Sequence, residues 1–68
     1  MKALVITKSS NIGKIEFENN TLYVTFLNGS RYAYSNVPEA IYDEMSVAES
    51  AGKYFWAKVR NSYAYQRV

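Results

Sequence analysis

The sequence predicts an α+β domain: a small antiparallel β-meander of three to four strands followed by two short α-helices packed on one face. Two observations carry this. Apolar side chains alternate with polar ones through residues 14–35, and a helical spacing replaces the alternation after the only proline, Pro38. The chain has 68 residues, room for one core, so residues 1–68 are read as a single domain stabilised by only a few kcal/mol.

The strands follow in order. Ala3 to Thr7 forms the first, and the polar stretch Lys8 to Asn11, with Gly13 close behind, is a turn. Ile15 and Phe17 alternate with Lys14, Glu16 and Glu18, and Leu22, Val24 and Phe26 alternate with Tyr23 and Thr25, the signature of strands with one wet face. A two-residue loop at Asn19-Asn20 sets Phe17 opposite Leu22 and Ile15 opposite Val24. At Asn28-Gly29 two registers compete. A two-residue loop pairs Phe26 with Arg31 and sends Arg31, Ala33 and Ser35 into the core. A three-residue loop with Gly29 left-handed pairs Phe26 with Ser30 and sends Tyr32 and Tyr34 there instead. The second is preferred, since an unpaired buried arginine costs several kcal/mol whereas a tyrosine leaves its hydroxyl at the rim. Arg31 to Ser35 is then the next strand.

Pro38 suits the first turn of a helix, with Glu39 at the positive end of its dipole. Val37, Ile41, Met45 and Ala48 form its apolar stripe. Ser50 caps a second helix, Ala51 to about Arg60, whose inward stripe is Ala51, Phe55 and Val59; Gly52 permits close backbone approach. Tyr63, Tyr65 and Arg67 repeat the alternation as a short edge strand or a docked tail.

Composition narrows function. With neither histidine nor cysteine, the usual neutral-pH base, thiol nucleophile and zinc ligands are missing, and Gly13, Gly29 and Gly52 stand in no phosphate-loop frame. Glu16 and Glu18 share a strand face beside Lys14 and are read as solvated, Asp43 and Glu44 as helix surface. No enzyme, cofactor or metal is therefore expected. The longest aliphatic run, Ala3 to Ile6, is far short of the roughly 20 residues of a membrane span, and a cysteine-free chain without a targeting segment is expected in the cytoplasm.

Charge is uneven. Residues 1–49 hold four basic and six acidic side chains, whereas residues 50–68 hold Lys53, Lys58, Arg60 and Arg67 and no acid. Lys53, Trp56 and Arg60 are spaced three and four apart, so a helix presents them together, opposite the Ala51, Phe55 and Val59 stripe. Trp56 is either displayed between two cations or folded over a sheet edge or under the C-terminal tail. Bases stack on aromatic faces while Lys and Arg take phosphates. The candidate contact surface is thus Lys53, Trp56, Lys58, Arg60 and Arg67, with Tyr63 and Tyr65 as stacking partners.

Taken in order, Ser9-Ser10-Asn11-Ile12, the Leu22, Val24, Phe26 alternation, Gly29 before Tyr32-Ala33-Tyr34, Val37-Pro38, and Gly52-Lys53-Tyr54-Phe55 with Val59-Arg60 and Tyr63 resemble the KTSC domain. That family is named after a C-terminal extension of some lysyl-tRNA synthetases and also occurs as free-standing bacterial and phage proteins. The resemblance implies a YxY pattern, here Tyr32 and Tyr34, and suggests RNA binding by analogy with the synthetase context. The chain departs from the family at Trp56, where asparagine is common. RNA, tRNA included, is the expected partner; a protein partner or a second copy of the chain is the alternative, because Tyr, Trp and Arg also anchor protein interfaces.

Overall fold

The computed structural model describes residues 1–7 and 11–68. Its elements run β1 (Lys2–Val5), β2 (Ile12–Glu18), β3 (Thr21–Phe26), β4 (Arg31–Tyr34), α1 (Glu39–Val47), α2 (Ala51–Lys58) and β5 (Tyr65–Arg67). The five strands form one antiparallel sheet in the order β1-β2-β3-β4-β5. The sheet has one strand more than the three to four expected of the meander; the fifth arrives after both helices at Tyr65–Arg67, so of the two readings of the C-terminus the edge strand holds, without Tyr63. β1 starts and stops earlier than the predicted Ala3 to Thr7. Most of the expected turn after it, Lys8 to Ser10, lies outside the described residues.

Both hairpin registers follow from their turn residues. Asn19 and Asn20 take left-handed φ values of 53° and 60°, as a two-residue type I′ loop requires, and Phe17 faces Leu22 while Ile15 faces Val24. At the next turn Gly29 is left-handed at φ 93°, and the Phe26 N–H donates to the Ser30 carbonyl at 2.8 Å. Val24 consequently faces Tyr32, and Leu22 faces Tyr34. A third device was not anticipated. Gly13, expected in the preceding turn, lies inside β2 at a register shift between Ile12 and Lys14. One extra residue reverses side-chain parity, so Ile12 and Ile15, an odd number apart, are both fully buried.

The core-facing side of the sheet presents Ile15, Phe17, Leu22, Val24 and Tyr34, and the helices cover it with Val37, Tyr42, Met45, Ala51, Phe55 and Val59. α1 departs from the predicted stripe. Tyr42 rather than Ile41 is buried, and its ring lies 6.0 Å from Phe17. The helix begins at Glu39, so Pro38 is the extended residue before the first turn rather than inside it. With the helix start moved on, residues 42 and 45 point at the sheet and Ile41 is left half-buried. The Lys2 ammonium donates to Glu39 at 2.6 Å and Asp43 at 2.8 Å, tying β1 to α1. Ser50 caps α2 as expected, its hydroxyl accepting from the Lys53 N–H at 3.2 Å. The helices meet where the Tyr54 hydroxyl donates to Glu44 at 2.7 Å.

On the other face Glu16 is not solvated but 9% exposed. Arg31, turned outward by the three-residue loop, donates to its carboxylate at 3.2 Å and lies 4.5 Å from the Tyr23 ring centre, covering the acid. Lys14 approaches the same carboxylate at 3.7 Å. Among the described residues no helix is long and apolar enough to cross a membrane.

Two outcomes are expected. A Cβ on Gly29 would meet nothing within 4 Å, so Gly29→Ala costs only the left-handed backbone penalty, about 1–2 kcal/mol in urea unfolding; an unchanged midpoint contradicts this turn. Burial, then the bond to Glu44, raises the Tyr54 phenol from 10.0 to about 12, so the fold favours its neutral form. That contribution is whole below pH 10 and is lost as pH rises toward 12. Burial raises Tyr34 and Tyr42 as well. Stability should fall across this window, and Tyr54→Phe should make the fall shallower; an identical slope in the variant would show that Tyr54 is not coupled to folding.

Candidate functional site

α2 holds its place on the sheet through one ring. Phe55 meets Phe26 at 5.6 Å and Tyr34 at 5.5 Å between ring centres, both edge-to-face, and Ala51 and Val59, four residues before and after it, are buried with it. Once this stripe faces inward, helical geometry fixes the rest. Lys53 and Trp56 fall on the far side, and Arg60, to which the predicted helix ran, lies two residues past the helix end at Lys58 and folds back over Trp56; all three are exposed. Trp56 is 53% exposed and carries the Arg60 guanidinium over its face, 3.8 Å from the ring centre. Of the two readings of Trp56, the displayed one describes this side chain.

β5 supplies the opposite wall. Pairing of Tyr65 with Tyr34 and of Arg67 with Tyr32 puts both β5 side chains on the helix-bearing side of the sheet. The Tyr65 ring, 60% exposed, lies 5.7 Å from Tyr32 and 5.5 Å from Tyr34. Between the walls runs a cleft of about 280 Å³. Phe26, Tyr32 and Tyr34 line its base, Trp56 and Arg60 one side and Tyr65 the other. A second, wider depression of about 480 Å³ lies beyond Trp56, beside Gly52, Lys53 and Ala57, so the indole is a ridge between two hollows.

The electrostatics are one-sided. Every ion pair among the described residues uses Lys2, Lys14 or Arg31, and none uses Lys53, Lys58, Arg60 or Arg67. Arg60 is held by a ring and keeps its donors for something else. Burial raises the Tyr34 phenol, which favours the neutral hydroxyl still further, and that hydroxyl can both donate and accept. Such a cleft can stack a planar ring and meet an anion.

The predicted surface is divided by the fold. Trp56, Arg60 and Tyr65 come together in the cleft, Lys53 stands on its outer rim, and Arg67 shares the strand face of Tyr65. Lys58 does not join them. It is exposed one turn beyond Tyr54, on the opposite flank of α2. Tyr63 packs half-buried against the core, close enough to Tyr54 to help raise that phenol, and is not displayed for stacking. Sequence reasoning assigned Tyr32 and Tyr34 to the core. Tyr34 is indeed 4% exposed and Tyr32 half-buried, but both also line the cleft. Asn11, Phe26, Phe55 and Asn61 complete the lining, and the sequence marked none of the four as a site residue.

Comparisons with known proteins follow this architecture. The crystal structure of a KTSC domain protein from Yersinia pestis superposes with a TM-score of 0.89 at 24% sequence identity, covering 98% of this chain and 96% of that one. Among curated proteins none matches in sequence. The sequence model of the KTSC domain matches residues 8–63, a span that holds the Tyr32-Ala33-Tyr34 strand, both helices and the turn at Gly29. With most of its length inside that match, the chain belongs to the KTSC domain family.

Proposed function

We propose that this domain is a non-catalytic module that binds single-stranded nucleic acid, RNA in the first place, along the face shared by α2 and β5. The observation that carries the reading is Arg60 seated on a half-exposed Trp56 beside Tyr65, in a third of the chain that has no acid. Aromatic faces on two opposed elements suit an unpaired base, since every base has a face to stack and stacking contributes about 1–3 kcal/mol per base. Lys53 on one rim and Arg67 on the other suit the phosphates that flank such a base. A cysteine-free domain also suits the reducing cytoplasm in which RNA is met. The same Trp56 favours a second reading, an anchor for a protein partner or a second copy, because exposed tryptophan and arginine dominate protein interfaces.

Titration with tRNA and with unstructured RNA at rising salt separates the two. Two phosphate contacts predict that log K falls with log salt at a slope of about −1.4 on single strands, and that Lys53→Ala makes it shallower by about 0.7. Trp56→Ala should weaken binding by about 1–3 kcal/mol, and Lys58→Ala, on the far flank, should leave it unchanged. No detectable binding at low salt removes the RNA reading. Capture of a protein that depends on Trp56 but not on salt would favour the second.

A further inference from the structure

We propose that the cleft between α2 and β5 holds one unpaired guanine and that Arg60 selects it. This rests on the nucleic-acid reading above and narrows it to a base. At about 280 Å³ the cleft lies just under the roughly 300–1,000 Å³ of sites for drug-sized ligands, a size that suits one ring system. Its sides are the Trp56 and Tyr65 rings, each more than half exposed, and its base is the Tyr32 and Tyr34 pair.

The polar chemistry then chooses among bases. Arg60 is exposed, lies 3.8 Å over the indole and has no carboxylate partner, so its forked donors are positioned and unspent. Guanine alone among the bases offers two neighbouring acceptors, O6 and N7, that match that fork. Adenine sets an amino donor beside N7 and would turn like against like, and a pyrimidine has no N7. Two amides, Asn11 and Asn61, line the cleft and among the described residues no carboxylate does, so Arg60 is its one charged group there and the edge with O6 and N7 is the one that the charged fork reads. A phosphate also fits an arginine fork. It would leave the aromatic sides of the cleft unused.

Trp56 is the only tryptophan in the chain, so its fluorescence reports on the cleft directly. The titrants are uridine hexamers with one central guanine, adenine or cytosine, the all-uridine hexamer, GMP, AMP and inorganic phosphate. The guanine hexamer should bind about tenfold tighter than the adenine one or better, as one bidentate arginine contact provides. GMP should bind more weakly with the same preference over AMP, and phosphate should compete poorly. Arg60→Lys keeps the charge and loses the fork, so the preference should shrink to within about twofold while all-uridine binding holds. Equal affinity for the four hexamers overturns the guanine assignment and leaves nucleic-acid binding standing. Phosphate competing as well as GMP overturns it in favour of an anion site. A GMP preference without hexamer binding keeps the guanine site and overturns the RNA reading, and silence from every titrant overturns both.

Discussion

A strand can hide only every second side chain, so the parity set at each turn decides what this small domain has inside and what it shows. The decisive turn joins β3 to β4. Gly29 at φ 93° closes a three-residue loop in which Phe26 bonds to Ser30, and everything downstream in β4 takes its face from that bond. Tyr32 and Tyr34 turn toward α2. Arg31 turns away, where Glu16 and the Tyr23 ring receive it. One residue fewer in the loop would exchange the two sets and bury an arginine against aliphatic neighbours, at a cost of several kcal/mol that a 68-residue domain does not have in reserve. The bulge at Gly13 does the same work on β2, bringing Ile12 into line with Ile15.

The cleft is a consequence of that parity. Tyrosines on the core side of a strand near the sheet edge cannot be wholly covered by one short helix, and β5 closes over their far side with Tyr65. What remains between α2 and β5 is a gap lined by rings whose inner edges belong to the core. Phe55 makes the connection rigid by touching both Phe26 and Tyr34 edge-to-face. Core packing and the cleft therefore draw on the same tyrosines, and Tyr32 and Tyr34 of β4 serve as core and as cleft floor together.

Much of this was readable from the residues because it is local. Alternation in Ile15, Phe17, Leu22 and Val24, the asparagines at 19 and 20, Gly29, the Ser50 cap and the Ala51, Phe55, Val59 stripe each state a period or a backbone requirement, and each is met. Tyr42 was missed because the stripe was phased from Val37, which precedes the helix, instead of from Glu39, where it starts. The burial of Glu16 was missed because it depends on Arg31, fifteen residues away and on another strand. Lys58 was grouped with the other cations by composition, although its angle on α2 sets it apart. The cleft itself was illegible for a simpler reason. Its walls come from β3, β4, α2 and β5, and the pairing of β5 with β4 is a long-range contact with no turn between them to announce it.

The parity of β4 is open to direct measurement by nuclear Overhauser contacts between backbone protons. The three-residue loop sets Tyr23 opposite Ala33 and Thr25 opposite Arg31, so cross-strand contacts should join those pairs, with the Tyr34 ring close to Phe55. Contacts joining Val24 to Ala33 and Tyr23 to Tyr34 would mean the shorter loop, with the tyrosines facing away from α2, and would leave the cleft without a floor.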